Sequence, residues 1–241
     1  MGYYLLDNPN PNGDHFTRTS VRQIRGVVIH TAENVADTIG PDGGAESVAN
    51  YGATAARSVS WHATVDKDSI IYMLPDEYTA YHVIGYNATT LGIEQACQSA
   101  KWAEYPDDWV EATLNNTAKV VREWCKKYNI PMVRITKAEF DAGGKGILAH
   151  ADLDPARRSD PGRTFPWDRF LQKVTGESMV TPEEVKAIAE AVWDAKLGPS
   201  SGGISMATAV QRTYMASLSP LDIDALANKV ADVLAARLQE T

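Results

Sequence analysis

The chain is poor in cysteine, in positive charge and in long apolar runs. Its 241 residues include only two cysteines, Cys97 and Cys125. Their spacing matches neither a metal knuckle nor a redox pair, so two buried, reduced thiols are the favoured interpretation and a disulfide between them stays open. The formal net charge of −8 argues against binding to nucleic acid or to an anionic membrane through a basic surface. No apolar run approaches the length of a transmembrane helix.

The first residues also lack the features of a secretory signal. Residues 1–13 contain neither a basic segment nor an apolar one, and prolines and glycine interrupt them. We therefore expect synthesis in the cytoplasm, with any export by another route.

What the chain does contain is typical of a globular α/β protein. Hydrophobic residues make up 44% and charged residues 22%. Residues 59–65 alternate between apolar and polar side chains, which predicts a half-buried strand. The patterns predict further strands at residues 26–29, 70–74, 91–94 and 147–149, and helices at residues 45–57, 107–128 and 166–174.

The composition changes after Gly176, which predicts a domain boundary. We expect a catalytic domain at residues 1–176 and a small helical C-terminal region at residues 177–241. A capping box at residues 181–184 and a second helix start at residues 219–220 indicate two helices. They have few residues to bury alone, so we expect them to pack together, on the first domain, or on another copy of the chain. Cell-wall binding or homo-oligomerisation are the functions considered for this region.

The segment at residues 150–162, HADLDPARRSDPG, contains the clearest candidates for chemistry. It places His150 and Asp160 ten residues apart, and His30 ends a distant apolar run. Two histidines and one carboxylate are the protein ligands of an open zinc site, which leaves the fourth position to water. The alternatives are structural histidines and a solvated loop of surface ion pairs.

This segment resembles the corresponding loop of the zinc-dependent N-acetylmuramoyl-L-alanine amidase family, which includes phage lysins and peptidoglycan recognition proteins. The resemblance extends over about residues 20–175, with further matches in the same order at residues 27–31, 59–66, 80–85, 87 and 91–94. It implies a central mixed β-sheet flanked by helices. It also implies that His30, His150 and Asp160 bind Zn²⁺.

The resemblance implies catalytic roles for two further residues. Glu94 matches the catalytic glutamate of the family, and Arg158 stands where one branch has an oxyanion-stabilising lysine. Trp61 occupies the position of a catalytic tyrosine in some phage members and has no phenol, so Glu94 alone would carry the proton transfer. Predicted substrate-binding residues are His62, His82, Trp61 and Asn87.

The resemblance implies hydrolysis of the amide between N-acetylmuramic acid and L-alanine in peptidoglycan, in the manner of a phage endolysin. Such an enzyme would wait in the host cytoplasm and reach the cell wall on release, with peptidoglycan as its partner and neither nucleic acid nor membrane. Two alternatives stay open: a non-catalytic peptidoglycan-binding module, and a zinc peptidase that cuts within the stem peptide.

Overall fold

The computed structural model describes residues 2–18, 22–34, 36 and 43–176. The predicted helices of the C-terminal region lie outside these residues, so the domain boundary and the role of residues 177–241 stay predictions. The helices are α1 (Tyr4–Asp7), α2 (Gly44–Thr54), α3 (Asp107–Tyr128), α4 (Lys137–Asp141), α5 (His150–Leu153) and α6 (Trp167–Thr175). The strands are β1 (Phe16–Thr17), β2 (Gly26–Thr31), β3 (Ala63–Val65), β4 (Ile70–Tyr72), β5 (Thr79–Ala80), β6 (Thr90–Gln95) and β7 (Gly146–Ala149).

A five-stranded mixed sheet forms the centre, with the order β4-β3-β6-β2-β7. Strands β3, β6, β2 and β7 pair in parallel, and β4 pairs with β3 in antiparallel fashion. The predicted mixed sheet flanked by helices is confirmed. Parallel strands bring their carboxyl ends to one edge of the sheet, which is where open α/β sheets place their ligand sites.

The sheet separates two layers. Val27 and Ile29 of β2 belong to the large core beneath α3 and α6, whereas Val28 faces a smaller cluster on the other side with Phe140 and Leu153. Side chains alternate between the faces of a strand, so His30 projects to the same side as Val28. The long helix was predicted over its full length, and its apolar side is buried as its period indicated.

One expectation about burial is wrong. The alternating residues 59–65 predicted a half-buried strand, but the polar residues Ser60, His62 and Thr64 are fully buried. Protein partners satisfy these side chains: the Ser60 hydroxyl donates to the His15 carbonyl (2.5 Å), and the Thr64 hydroxyl donates to the Glu94 carbonyl (3.2 Å). Buried polar groups are tolerated when they are hydrogen-bonded in this way.

The favoured interpretation of the cysteines is confirmed, because Cys97 and Cys125 are both buried and free. Within the described part of the chain, no helix combines the length and apolarity that crossing a lipid bilayer requires.

Candidate metal centre and active site

The candidate site lies at the carboxyl edge of the parallel strands. His30 is near the end of β2, and Glu94 is its paired residue on the adjacent strand β6. His150 follows directly after β7, the neighbour of β2 on the other side. Residues from three segments far apart in sequence therefore meet because their strands are neighbours in one sheet.

His30, His150 and Asp160 form a buried cluster that could hold a metal ion. The Nδ1 atoms of His30 and His150 each lie 3.1 Å from Oδ2 of Asp160. One ligand atom from each residue lies within 4.8 Å of the others. Two ligand atoms on a tetrahedral zinc ion are separated by about 3.3 Å, so the spacing and the donor types suit zinc.

The protonation preferences of the cluster also suit a cation. Burial lowers the pKa of His30 to about 4, which keeps the imidazole neutral and able to act as a ligand. Burial alone would raise the pKa of Asp160. Hydrogen bonds with His150 and His30 outweigh burial and hold the pKa of that carboxyl well below its usual range.

Glu94 presents an unsatisfied carboxylate oxygen. Its Oε2 atom is buried and has no hydrogen-bond partner within the described residues. Burial raises the pKa of Glu94 well above its ordinary value, the charge of Asp160 raises it further, and Arg158 opposes the shift. A buried carboxyl with a free oxygen and a raised pKa has the properties of a group that exchanges protons with a bound reactant.

Two hydrogen bonds to neighbouring segments hold the loop that contains Asp160. The Ala151 amide donates to the Asp160 carbonyl (2.9 Å), and the Trp102 indole donates to the Pro161 carbonyl (2.8 Å). At Gly162, where φ is +104°, a Cβ atom would lie 1.9 Å from the carbonyl oxygen of Ser99. Only glycine fits there, and the close contact holds the loop against the segment containing Ser99 and Trp102.

Arg158 is exposed, two residues before Asp160. Its charge influences the pKa values of both Glu94 and His30. The guanidinium is therefore within electrostatic range of the candidate site and open to solvent.

His82 and Asn87 lie beside the metal cluster. The His82 ring is half-buried, with Nδ1 3.0 Å from Nε2 of His30. The side-chain oxygen of Asn87 accepts hydrogen bonds from the backbone amides of His82 (3.0 Å) and Val83 (2.7 Å). Asn87 therefore shapes the turn that carries His82, and these hydrogen bonds occupy its side-chain oxygen.

Two predicted substrate-binding residues do not reach the surface. His62 is 0% exposed and Trp61 is 4% exposed. His62 accepts from the Gly92 amide at Nδ1 (3.0 Å), and its Nε2 lies 3.0 Å from the Tyr78 carbonyl. Trp61 packs in the cluster beneath α2. In this conformation neither side chain can contact a substrate, because the protein itself surrounds both rings.

Sequence reasoning missed two residues that support the site. Arg22 donates from a part-buried guanidinium to several backbone carbonyls, among them Asp76 and Asn87 (2.7 Å each), and its Nη1 lies 3.1 Å from Nε2 of His62. Burial lowers the pKa of Arg22 to about 10. Trp102 was missed as well. Neither residue belongs to a recognisable motif, because their partners are backbone carbonyls.

Comparison with known proteins agrees with this geometry. Residues 20–163 match the family described as N-acetylmuramoyl-L-alanine amidase. The amidase AmiD of Escherichia coli (strain K12) is 36% identical over 47 residues, which cover 20% of this chain and 17% of AmiD. The chain thus matches well under two thirds of that relative's length.

Solved structures align with the chain at lower identity. A mutant endolysin from Bacillus subtilis aligns at 20% identity with a TM-score of 0.49, covering 69% of this chain and 96% of its own. The catalytic domain of XlyA aligns at 21% identity with a TM-score of 0.48, covering 68% and 94%. The family match spans more than half of the 241 residues and contains His30, Glu94, His150 and Asp160, so the chain belongs to the N-acetylmuramoyl-L-alanine amidase family.

Proposed function

We propose that the protein is a zinc-dependent hydrolase that cleaves the amide bond between the lactyl group of N-acetylmuramic acid and L-alanine in peptidoglycan. One observation carries the proposal. The ligand atoms of His30, His150 and Asp160 converge, and the neighbouring strand presents an unsatisfied oxygen of Glu94. A metal-binding cluster beside an unpaired carboxylate is the arrangement that metal-assisted amide hydrolysis requires.

His30, His150 and Asp160 would hold the zinc ion. When bound, zinc lowers the pKa of a coordinated water toward ~7 and polarises a carbonyl oxygen. The three side chains are buried, and the sheet and the Trp102 contact hold them in place. Three protein ligands would leave a zinc ion one position for water or substrate.

Glu94 is the proposed general base and general acid. Its carboxylate takes a proton from the attacking water, whose oxygen bonds to the lactyl carbonyl carbon. The same group then delivers the proton to the alanine nitrogen as the carbon–nitrogen bond breaks, leaving a lactyl carboxylate and a free amine. Burial supports this role, because it raises the pKa of Glu94 well above its ordinary value and so makes the carboxylate a stronger base.

Arg158 is the proposed donor to the oxygen that becomes negatively charged as water attacks. Its exposure and its electrostatic influence on Glu94 support this role. Of the predicted substrate-binding residues, only His82 and Asn87 are partly exposed. We therefore restrict the proposed contacts to these two, and assign structural roles to His62 and Trp61.

The products of digestion test the proposed bond. Purified cell walls incubated with the protein are expected to release stem peptides that begin with a free L-alanine amine, while the glycan retains intact lactyl carboxylates, as read by mass spectrometry. Glu94→Gln should reduce turnover by at least about 100-fold. Glu104→Gln, an exposed glutamate outside the candidate site, is the matched control and should retain full activity.

The same experiment separates the alternatives. Cuts within the stem peptide would identify a peptidase. Peptidoglycan binding without any product from the zinc-loaded protein would identify a binding module. Either result overturns the proposed activity.

We also propose that the protein acts as a phage endolysin, held in the host cytoplasm until a pore gives it access to the wall. The predicted helical region at residues 177–241, which the chain has in addition to its catalytic domain, supports this role. Expression in a host cell should leave the culture intact until a pore-forming protein is co-expressed, and turbidity should then fall. Lysis without the pore would contradict this role.

Homo-oligomerisation through residues 177–241 stays a prediction, which light scattering of the full chain and of residues 1–176 would test.

A further inference from the structure

Within the described part of the chain, His82 contacts one of the three candidate metal ligands, His30. Its Nδ1 atom lies 3.0 Å from Nε2 of His30, and the two rings meet edge to face with centroids 5.2 Å apart. The other nitrogen of His30, Nδ1, lies 3.1 Å from Oδ2 of Asp160 and is therefore the atom that would bind a metal. A histidine that binds a metal through Nδ1 carries its proton on Nε2, so His30 donates to His82.

The direction of this hydrogen bond determines where the protons of His82 and Thr90 lie. If Nδ1 of His82 accepts, its proton lies on Nε2, which is 3.3 Å from the hydroxyl oxygen of Thr90. The Thr90 hydroxyl in turn donates to the backbone carbonyl of Tyr86 (2.8 Å). His82 and the Thr90 hydroxyl then each donate one hydrogen bond and accept one. The series ends at the Tyr86 carbonyl, which can only accept.

The surroundings hold His82 in this orientation. A Cβ atom at position 92 would lie 2.5 Å from Nδ1 of His82, so Gly92 provides the space that the ring occupies. The buried His62 ring meets His82 edge to face at 5.7 Å. The side chain of Asn87 anchors the His82 amide. The ring is thus held on three sides before any ligand binds.

We propose that His82 is a positioning residue, which with Thr90 fixes the orientation and the proton of His30 and so raises the zinc affinity of the site. This assignment rests on the proposed zinc site and adds a role to a residue that was predicted only as a substrate contact. The partner that orients a metal-binding histidine typically contributes 10- to 100-fold to metal affinity.

Zinc affinity tests the role without recourse to activity. We expect His82→Ala to weaken zinc binding by about 10-fold or more, measured by competition with a chromophoric chelator. His82→Asn keeps an acceptor near the position of Nδ1 and should stay within about threefold of the unaltered protein. Thr90→Val removes the acceptor for Nε2 and should weaken binding by an intermediate factor. The matched control is His15→Asn, at a buried histidine whose Nδ1 has no hydrogen-bond partner among the described residues, and its zinc affinity should not change.

The outcomes separate the two proposals. If the unaltered protein binds zinc and folded His82→Ala binds it equally well, the positioning role is wrong while the zinc site stands. If His82→Ala does not fold, unchanged affinity in Thr90→Val overturns the role instead. An equal loss in His15→Asn also overturns it, because the effect would then be general. An unaltered protein that binds no zinc overturns both the site and the role.

Long-range ¹H–¹⁵N correlation spectra of the zinc-loaded protein report the protons directly. We expect His30 and His82 both to be protonated at Nε2. His62, which accepts from the Gly92 amide at Nδ1, should show the same tautomer and serves as an internal reference. A proton on Nδ1 of His82 would reverse the hydrogen bond to His30 and overturn the proposal.

Discussion

His30 and Glu94 occupy paired positions on the adjacent parallel strands β2 and β6. Neighbouring strands lie about 4.8 Å apart, so the sheet itself sets the distance between a proposed metal ligand and the proposed base. Side chains change faces at every residue, so a shift of the β6 register by one residue would turn Glu94 away from the site. The placement of the proposed ligand His30 beside the proposed base Glu94 therefore depends on strand pairing more than on any loop.

Removal of the metal should abolish activity and lower thermal stability. At a free zinc concentration 1,000 times the dissociation constant, binding stabilises the folded state by about 4 kcal/mol. For a chain of this size, this corresponds to roughly 10 °C in Tm. Calorimetry with and without a chelator measures the shift. His150→Ala should show a low Tm that zinc no longer raises, and a normal zinc response in that variant would contradict its assignment as a ligand.

Arg158 should contribute to the rate through its charge. Arg158→Ala is expected to lower kcat by about 100- to 1,000-fold, as removal of one oxyanion donor typically does, with a smaller change in KM. Arg158→Lys should recover much of the loss, because it keeps a positive donor at the same position. The adjacent Arg157 pairs with Asp154 (Nε to Oδ1, 3.0 Å), so Arg157→Ala is the control and should retain its kcat. Equal rates for Arg158→Ala and the unaltered protein would remove this residue from the mechanism.

Gly162 should tolerate no side chain, because a Cβ there would meet the Ser99 carbonyl at 1.9 Å. Gly162→Ala combines this clash with the strain of a φ of +104°, and we expect a loss of about 3 kcal/mol or more in the free energy of unfolding.

Gly13 provides a matched control for that substitution, since its φ is +105° and a Cβ there would meet nothing within 4 Å. Gly13→Ala should cost only the backbone strain, about 1–2 kcal/mol. Urea unfolding measures both losses. Similar values for the two variants would show that the contact with Ser99 does not constrain the Asp160 loop.

His62 should make the fold sensitive to acid. Burial lowers the pKa of its imidazole to about 3, whereas the unfolded chain titrates near ~6.5. Between these values the unfolded state binds the extra proton, so stability falls as the pH decreases from about 6.5 to about 3. One such group contributes a slope of about 1.4 kcal/mol per pH unit within this window.

In the absence of metal, His62→Asn should be less stable than the unaltered protein at pH 7. Its free energy of unfolding should fall less per pH unit on acidification than that of the unaltered protein. Urea unfolding at pH 7, 6, 5 and 4 gives the two slopes. Parallel slopes would show that His62 does not contribute to the acid sensitivity.

The sequence alone predicted the five strands of the central sheet and the long helix, but not the two-residue strands β1 and β5. It also singled out His30, His150 and Asp160, which the structure brings together, and Glu94 on the neighbouring strand. These residues lie in short motifs whose order along the chain is distinctive, and the apolar periods around them reflect local backbone geometry. The bounds of the elements differ by a few residues; α2, for example, was predicted at residues 45–57 and spans Gly44–Thr54. Helix ends depend on contacts that the local pattern does not contain.

Only the tertiary structure decided which of the remaining polar residues near the candidate site are partly exposed and which are buried. The residues around His62 alternate as a half-exposed strand would, yet its ring is buried against Gly92, Tyr78 and Arg22. Arg22 and Trp102 bind backbone carbonyls, which every residue carries, so nothing in their own sequence neighbourhoods indicates a partner. The sequence determined the chemical groups of the site, because those require particular side chains. Their distances, protons and supports came from strand pairing and burial, which bring distant segments together.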